Sequence, residues 1–486
     1  MTKQKRWRTG VWMRAAAAAA LAATIASPAA GFAAEPKDEL YEVFSLLETM
    51  HVSGSSGEQL KDAAIRGMLE ALDDPYTEYF DPEEWQALQD TYEQVMVGIG
   101  IQFAQTDEGL LILEVFEGSA AKGAGLKPGD AIVRVGEKVV KDTPLEDIYD
   151  MLLGPEGSTV KLHIADGASR LLKTVTITRQ PFHIPSVSYE MTDGGTGYIR
   201  IDSFSSDTAG LVREALRAFE ADPEYVALVI DIRGNPGGYL DAVAEVATFF
   251  VEDGPILYMV NRDGSRRPME IENGSSVDVP VVLLVDGDSA SASEVFAGAL
   301  QDYKLATLVG ERTYGKGSVQ QLIPLESGGG LKVTVQQYLT PRRSPVDGVG
   351  IHPDVIASTR LEATLKALRL AGADELKLTF RSYETVVNGV SFDETAAWVV
   401  EGGRTYLSAK ALAAVIDGAA AWDGAAQSVK LTGLGGAASF AAKPNGGLLL
   451  RDGASYIELG AFAKAFPNAK AKTEGKSVVV EWIDHG

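Results

Sequence analysis

Short apolar runs alternate with helical segments between residues 197 and 310, and this alternation is the strongest constraint on the fold. The apolar runs are typical of buried strands and cover residues 197–201, 226–231, 256–260, 279–285 and 306–310. The helical segments between them cover residues 211–220, 240–250 and 292–303. Strands that alternate with helices of this length predict a largely parallel sheet covered on both faces. In such sheets, sites form at the carboxyl ends of the strands.

A serine lies where the predicted strand 279–285 gives way to a helix beginning near Ala292. This stretch reads SASASE, with Ser291 as the middle serine. At such a turn the side-chain oxygen is exposed, and the free N–H groups of the first helical turn point toward any negative charge that forms there. A nucleophilic serine needs this arrangement. Ser291 and Glu294 also have capping-box spacing, and on this stretch alone a cap is the more common explanation.

Two further motifs follow predicted strands. The loop 231–238 reads DIRGNPGG, and Gly237 and Gly238 can present backbone N–H groups to a developing oxyanion, although a turn with a C-cap glycine explains them too. Lys316 lies between two glycines, where burial would lower its pKa so that a neutral amine could accept a serine proton. A surface lysine in a hairpin is the alternative. Gln320 lies four residues on, where an extended chain returns a side chain to the same face.

From residue 95 the pattern changes to short strands punctuated by glycines. The segment 118–140, GSAAKGAGLKPGDAIVRVGEKVV, resembles PDZ domains of the circularly permuted bacterial type. The resemblance covers residues 95–181 and implies that a peptide adds to this domain as a strand. It also implies that the peptide's terminal carboxylate binds a set of consecutive backbone amides, those of Gly98, Ile99, Gly100 and Ile101. Glycines leave an amide edge uncrowded, which suits anion binding.

The three loop motifs DIRGNPGG, SASASE and TYGKGSVQ together resemble the C-terminal processing peptidases, also called tail-specific proteases. The segment DPYTEYFDP matches the same family. The resemblance implies a multidomain α/β protein with a mixed α/β, crotonase-like protease core at 182–372. In that core Ser291 would be the nucleophile, Lys316 the general base, and Gln320 would position the lysine. The oxyanion hole would be formed by backbone N–H groups, those of Gly237 or Gly238 and of Ala292.

The regions before the PDZ-like segment have a different character. Residues 1–33 read as a secretory signal, because basic residues precede a short apolar segment and small residues near Ala33 suit a signal peptidase. The apolar segment is too short to span a bilayer. Residues 34–94 carry helical periodicity and predict two or three helices. A homodimer through these helices is implied by relatives only, and packing on the main domain is the equal alternative.

A repeat marks residues 385–486, beyond the part that the peptidase family requires. Residues 402–407 recur as residues 452–457, and each copy leads into an amphipathic helix and then a strand. Two βαβ-like halves are therefore predicted to pack as one small α+β domain. This domain resembles the copper amine oxidase N-terminal-like domain. No copper is expected, because the region holds His485 as its one histidine and no cysteine.

Composition excludes several function classes. The formal net charge of −23 argues against nucleic acid or an anionic membrane surface as the main partner. The absence of cysteine excludes a thiol nucleophile, disulfides and thiolate metal sites. No cluster of histidine and acidic residues has metal-ligand spacing, so no metal or cofactor is expected. Of the five histidines, His352 lies in a turn after the sheet and is interpreted as structural rather than as the catalytic base.

The sequence therefore predicts an exported serine endopeptidase that recognises the C-terminal tails of protein substrates through its PDZ domain. It would act outside the cytoplasm, with no membrane span after signal cleavage. The alternative is a catalytically silent scaffold of the cell envelope that binds peptide tails without cutting them. Cleavage of a tail-bearing substrate distinguishes these two hypotheses.

Overall fold

The computed structural model describes residues 36–165, 171–392 and 395–483. The predicted signal segment 1–33 and His485 lie outside the described residues. The chain divides into two compact units, the first ending at Asp73 and the second beginning at Asp74. Within the described ranges, no helix combines the length and the apolar character that crossing a membrane requires.

The first unit consists of two helices, α1 (Pro36–Met50) and α2 (Gly57–Glu70). Ser56 caps α2 in a capping box with Gln59: the Ser56 hydroxyl accepts the Gln59 N–H at 3.3 Å, and the Gln59 side chain accepts the Ser56 N–H at 3.2 Å. Neither helix contains a buried residue. Of the apolar side chains that the periodicity predicts, Leu40, Val43, Leu47, Met50 and Met68 are exposed, and Phe44, Leu60 and Ala64 are half-buried.

The second unit opens with β1 (Glu78–Phe80) and α3 (Pro82–Tyr92). Helix α3 begins directly after Asp81, whose carboxylate accepts the N–H groups of Glu83 and Glu84, each at 2.9 Å. The PDZ-like region follows, with elements β2 (Val95–Gly98), β3 (Ile101–Thr106), β4 (Gly109–Val115), α4 (Ala120–Gly123), β5 (Ala131–Val135), β6 (Lys138–Val139), α5 (Leu145–Leu152), β7 (Thr159–Ala165), β8 (Leu171–Thr178) and β9 (Gln180–His183).

The PDZ-like region has its own hydrophobic core. Its sheet has the order β3-β4-β5-β7-β8, with β6 on β5. The core is closed by buried aliphatic side chains from the strands and from α5, among them Leu110, Ile132, Ile148 and Leu162. Strand β2 pairs with β9, which brings the start and the end of the region together next to the protease core.

The next part of the chain alternates strands and helices as predicted. Its elements are β10 (Val187–Met191), β11 (Thr196–Ile201), α6 (Thr208–Glu220), β12 (Ala227–Asp231), α7 (Leu240–Ala247), β13 (Gly254–Val260), β14 (Arg266–Ile271), β15 (Val281–Val285), α8 (Ala292–Tyr303), β16 (Thr307–Gly310), β17 (Ser318–Pro324), β18 (Gly330–Leu339), β19 (Val355–Ile356) and α9 (Arg360–Leu370). The main sheet has the order β10-β11-β12-β15-β16-β19, and its neighbours from β11 to β19 run parallel.

One strand of the alternating series leaves the main sheet. Strand β13 pairs antiparallel with β14 and β18, in a second sheet of order β1-β18-β13-β14 with β17 on β18. The reason is the connection to β14, which is five residues long and therefore closes a hairpin, whereas a parallel partner needs a long crossover.

The two faces of the main sheet belong to different cores. Because side chains alternate along a strand, Leu228 and Ile230 of β12 pack with the helices α6, α7 and α8, while Ala227 and Val229 face the other way. That other face is covered by α9 and by the C-terminal region. The rings of Tyr198 and Phe392 lie there at 4.9 Å between centroids. The C-terminal region therefore completes the core of the protease sheet.

The C-terminal region repeats one arrangement twice. Its elements are β20 (Glu375–Phe380), β21 (Thr385–Val387), β22 (Val390–Phe392), β23 (Trp398–Glu401), β24 (Arg404–Ser408), α10 (Ala409–Val415), β25 (Ala419–Asp423), β26 (Ser428–Gly433), β27 (Gly436–Ala441), β28 (Leu448–Arg451), β29 (Ala454–Glu458), α11 (Leu459–Ala465), β30 (Ala469–Glu474) and β31 (Ser477–Ile483). Each copy is a hairpin, a helix and a second hairpin, rather than the predicted βαβ-like half, and β24 pairs with β29 across the repeat.

The C-terminal sheet also starts earlier than the boundary at 385. Strand β20 pairs with β31 over six residues, from Glu375 opposite Ile483 to Phe380 opposite Val478. The last strand of the chain therefore returns to the segment directly after α9, and this pairing includes residues 375–380 in the C-terminal sheet.

Candidate active site

A cavity of about 360 Å³ lies beyond the carboxyl ends of β12 and β15. This is the edge of the sheet where parallel α/β folds form their sites. The residues that the sequence proposes for catalysis all line this cavity: Ser291, Ala292, Lys316, Gln320, Gly237 and Gly238. The remaining lining is mostly apolar and aromatic, with side chains from α3, β17 and β18.

Ser291 lies at the turn between β15 and α8 in a strained conformation. Its backbone has φ 56° and ψ −114°, which a non-glycine residue rarely adopts and which clusters at functional sites. The flanking serines are buried and have structural partners. The Ser289 hydroxyl donates to the carbonyl of Ile232 at 2.8 Å, and the Ser293 hydroxyl donates to the carbonyl of Asn235 at 2.9 Å. Of the three serines, Ser291 is the one that lines the cavity.

The flanking glycines of Lys316 are required by close packing. A Cβ on Gly317 would lie 2.2 Å from the backbone nitrogen of Asp347, and one on Gly315, which has φ 94°, would lie 3.1 Å from that of Gly350. These contacts draw the lysine segment against the loop 347–350. Lys316 itself is half-buried, whereas the hairpin alternative expects an exposed lysine.

The amine of Lys316 lies in a partly buried environment. Its Nζ is 4.9 Å from the centroid of the Tyr76 ring. Burial lowers the pKa of Lys316, and the charge of Lys332 lowers it further, while Asp74 and Glu294 act in the opposite direction. The sequence predicts this direction and its cause. In the described part of the chain, no hydrogen bond joins the Lys316 amine to the Ser291 hydroxyl.

Glu294 connects the serine segment to the lysine segment. Its Oε2 accepts the backbone N–H groups of Ser291 at 3.0 Å and Lys316 at 2.8 Å. Its Oε1 accepts the hydroxyl of Thr313 at 2.6 Å and the N–H of Gly315 at 2.7 Å. The residue is fully buried, so these four donors replace the water that a carboxylate needs. The predicted capping partner of Ser291 thus also positions Lys316.

Tyr338 makes a second connection between the same two segments. Its hydroxyl donates to the carbonyl oxygens of Ser291 at 3.1 Å and Lys316 at 2.9 Å. Tyr338 lies on β18 and is 3% exposed. Burial raises its pKa well above the usual value, so the phenol remains a donor.

The glycine loop lies directly against Ser291. A Cβ on Gly237 would lie 2.9 Å from the Cβ of Ser291. The N–H of Gly237 donates to the Asn235 side chain at 2.8 Å, so this amide is already satisfied. Within the described residues, the N–H groups of Gly238 and Ala292 have no protein acceptor. Of the amides that the sequence proposes for the oxyanion hole, these two are the ones that remain available.

Comparisons with known proteins identify the family. The family model "Peptidase family S41" matches residues 195–357, a PDZ domain model matches residues 88–165, and the model "Activating protease CtpB N-terminal domain" matches residues 13–84. A Staphylococcus haemolyticus protein named "Probable CtpA-like serine protease" is 33% identical over 337 residues, which cover 67% of each chain. The chain belongs to peptidase family S41.

Two other proteins are similar to this chain. A Staphylococcus aureus protein with the same name is 33% identical over 325 residues, covering 66% of this chain and 65% of that protein. The chain thus spans slightly less than two thirds of the Staphylococcus aureus relative. A solved structure, the photosystem II D1 C-terminal processing protease, is 31% identical and covers 69% of this chain and 97% of its own, with a TM-score of 0.42.

Gln320 lines the same cavity as Lys316, but in the described part of the chain it forms no hydrogen bond with the lysine amine. Its side-chain nitrogen donates to the hydroxyls of Ser318 at 2.9 Å and Thr334 at 3.2 Å. Both partners belong to the β17–β18 pair, so the amide is anchored on the wall of the cavity. No hydrogen bond joins Gln320 to Lys316 among residues that the structure describes.

The four residues proposed for the PDZ carboxylate site lie at the turn from β2 to β3. The carbonyls of Ile99 and Gly100 accept the N–H groups of Ala121 at 2.8 Å and Phe116 at 3.2 Å. Gly100 has φ 78°, and a Cβ there would lie 2.3 Å from the Cβ of Ser119. Glycine is therefore required at this turn because a side chain would clash with Ser119, and carboxylate binding by these four residues stays a prediction.

Of the histidines that the structure describes, none lines the cavity. His183, for example, lies 3.5 Å from a carboxylate oxygen of Asp207, and His163 bonds to Thr174 at 3.2 Å.

Sequence reasoning missed several residues that contact the serine, lysine or glycine-loop segments of this candidate site. Tyr338 gives no signal, because it is one tyrosine on a strand, 47 residues from Ser291. Asn235 belongs to the glycine loop DIRGNPGG, and nothing in that motif assigns it a role of its own. Tyr76 lies in the segment DPYTEYFDP, which matches the family. That match is the sequence signal for this residue.

Proposed function

We propose that this chain is a serine endopeptidase that binds the C-terminal tails of protein substrates and hydrolyses their peptide bonds with Ser291 and Lys316. The observation that carries the proposal is the shared cavity. Ser291, Lys316 and the glycine loop all line it, and Glu294 holds the serine and lysine segments through one carboxylate oxygen. The family membership and the lowered pKa of Lys316 support the same function.

The reaction proposed for this cavity begins with proton transfer. Neutral Lys316 accepts the hydroxyl proton of Ser291 as the oxygen attacks the scissile carbonyl. The N–H groups of Gly238 and Ala292 stabilise the oxyanion, since they have no protein acceptor in the described chain. Lys316 then gives the proton to the leaving amine. Water attacks the resulting ester, with Lys316 again as the base, and releases Ser291.

Gln320 is proposed to hold the amine of Lys316 during this reaction. Its side-chain nitrogen is occupied by Ser318 and Thr334, so its carbonyl oxygen is the atom that would accept from Nζ. This step requires Nζ to move from the Tyr76 ring toward Ser291. The residues Gly98, Ile99, Gly100 and Ile101 are proposed to bind the carboxylate of the substrate tail.

Export and self-association are further parts of the proposal. The basic and apolar pattern of residues 1–33 supports secretion and action outside the cytoplasm. In the first unit, several apolar side chains of α1 and α2 are exposed, among them Leu40, Leu46, Met50 and Met68, which supports a homodimer that buries them. The test of the dimer is the mass of the purified protein in solution, before and after removal of residues 36–73.

Substitution of the two catalytic residues tests the proposed function. The purified protein is incubated with an unstructured protein that has a free C-terminal tail, and fragments are measured by mass spectrometry. Ser291→Ala and Lys316→Ala are each expected to lower the cleavage rate by about 10⁴-fold or more. Ser276→Ala and Lys443→Ala change exposed residues of the same types and are expected to cleave at the native rate.

The same cleavage assay, combined with a binding measurement, distinguishes a peptidase from a catalytically silent scaffold. Retained cleavage in either alanine variant contradicts the Ser-Lys mechanism. Tail binding by the native protein, measured by calorimetry, together with the absence of fragments would support a catalytically silent scaffold. A substrate with an amidated tail tests the PDZ role, because loss of the terminal carboxylate is expected to weaken binding and slow cleavage.

A further inference from the structure

Tyr76 presents its ring to the amine of Lys316. The distance of 4.9 Å between Nζ and the ring centroid is within the range of a cation–π interaction. Such an interaction stabilises the protonated amine, because the face of the ring is negative. It therefore opposes the effect of burial, which favours the neutral amine.

The backbone around Tyr76 is anchored to the wall of the active-site cavity. The carboxylate of Asp74 accepts the N–H of Tyr76 at 3.0 Å and the hydroxyl of Thr77 at 2.5 Å. The Thr77 hydroxyl in turn accepts the N–H of Thr334 on β18 at 3.0 Å. Thr334 also holds the side chain of Gln320. One strand thus anchors both the segment that carries the Tyr76 ring and the side chain of Gln320.

The charged and titratable groups around Lys316 come from several segments of the chain. Asp74 precedes β1, Glu294 lies on α8 and Lys332 lies on β18; the first two favour the protonated amine and Lys332 disfavours it. Tyr314 and Asp347 act on the phenol of Tyr76 rather than on the amine. Tyr338 meets the segment through the Lys316 carbonyl. Among these groups, Tyr76 is the one whose ring lies under Nζ.

We propose that Tyr76 is a positioning residue that holds the protonated amine of Lys316 away from Ser291 and thereby sets the pH at which the lysine becomes a base. The amine exchanges between two positions. When protonated it lies over the ring, and when neutral it reaches the Ser291 hydroxyl and Gln320. This inference rests on the proposed function, because it concerns the general base of that reaction.

The test measures how fast Ser291 reacts with a fluorophosphonate at different pH values. In this reaction the serine oxygen bonds to phosphorus, fluoride leaves, and the proton passes to Lys316. The full-length protein is used, and labelling is followed by intact mass. The rate is expected to rise with pH through the pKa of Lys316, which defines the acid limb of the profile.

Two rings of nearly the same shape isolate the electrostatic effect. Tyr76→Phe keeps the negative face of the ring, and 3,4,5-trifluorophenylalanine at position 76 keeps the shape but removes most of that charge. Relative to Tyr76→Phe, the trifluoro variant is expected to move the acid limb to lower pH by about 0.5 to 1 unit, because the protonated amine loses its partner. The Phe variant is expected to stay close to the native profile.

The outcomes distinguish this inference from the function on which it rests. Identical acid limbs in the Phe and trifluoro variants would overturn the role of Tyr76 while leaving the Ser-Lys mechanism intact. A uniform fall in rate at every pH, with no shift of the limb, would also overturn it, since that pattern indicates a structural role alone. Labelling that is unchanged in Lys316→Ala would instead overturn the proposed function.

Discussion

The buried carboxylate of Glu294 accepts the backbone N–H of Lys316 at 2.8 Å. Through the same oxygen it accepts the N–H of Ser291, so the separation of the two segments is set by one atom. A static bridge of this kind pre-organises two residues that are 25 positions apart in the sequence. The side chains of Ser291 and Lys316 then line the same cavity without a direct bond between them.

Glu294→Gln tests this bridge. The glutamine side chain has one acceptor oxygen, and its NH₂ group would face backbone N–H donors. Because two donors would repel each other, the serine and lysine segments are expected to separate slightly. A misplacement of about 1 Å can lower a rate by about 10²-fold, and we expect a fall in kcat of this order. The free energy of unfolding should fall by about 1–3 kcal/mol. Glu270→Gln, an exposed glutamate on β14, is the control. A native kcat in Glu294→Gln would contradict the role of the bridge.

Tyr338→Phe tests the second connection. It removes the hydroxyl shared by the carbonyls of Ser291 and Lys316 and leaves the ring in place. We expect a loss of about 1 kcal/mol in the free energy of unfolding and a fall in kcat with little change in KM, because this hydroxyl is engaged by the two backbone carbonyls. The measurements are urea unfolding and steady-state cleavage. Tyr149→Phe in the PDZ region is the control, and equal kcat values for the two variants would refute the prediction.

Lys332→Met tests the electrostatic environment of the base. Burial and the Lys332 charge both lower the pKa of Lys316. Without Lys332 this pKa rises, so less neutral amine is present at a given pH, and the acid limb of the kcat/KM profile should move upward by about half a pH unit. Lys377→Met removes an exposed lysine on β20 and should leave the limb in place. A shift to lower pH would contradict the sign of this interaction.

Asp231→Asn tests a buried ion pair beneath the glycine loop. The Asp231 carboxylate accepts from Arg233 at 2.5 and 2.9 Å and from the Tyr198 hydroxyl at 2.6 Å. Burial would raise the pKa of Asp231, but the charge and hydrogen bonds of Arg233 outweigh it and lower the pKa to about 2. Removing the carboxylate should lower the free energy of unfolding by about 3–5 kcal/mol at neutral pH.

The pH dependence of this pair has a definite sign. Because the folded-state pKa lies below the ordinary value of 3.8, the stabilisation is present above pH 3.8 and is lost as the pH falls toward 2. Urea unfolding between pH 7 and pH 2 measures it, with Asp278→Asn, an exposed aspartate, as the control. If native protein and Asp231→Asn lost stability equally over this window, the ion pair would not be its source.

The local sequence was sufficient to predict the elements that carry the site. The helix Ala292–Tyr303 has the predicted bounds, because glycine and aspartate break the preceding strand and an alanine-rich period follows. The parallel main sheet follows from its alternation of strands and helices. The two glycines that flank Lys316 left its burial open, with a surface lysine in a hairpin as the alternative. The helix and the sheet depend on neighbours within a few residues, and such neighbours are visible in the sequence.

Contacts between distant segments were decided by the tertiary structure. Sequence spacing did not reveal that the N–H of Gly237 already donates to the Asn235 side chain, which leaves Gly238 and Ala292 as the available amides. It also did not reveal that β13 leaves the main sheet. Tyr76 and Tyr338 reach Lys316 because β1 and β17 both pair with β18. The sequence thus proposed which residues carry the chemistry, by their motifs and the resemblance of these motifs to the peptidase family. The folded chain decided which groups hold them, because long-range packing sets the distances on which hydrogen bonds and pKa values depend.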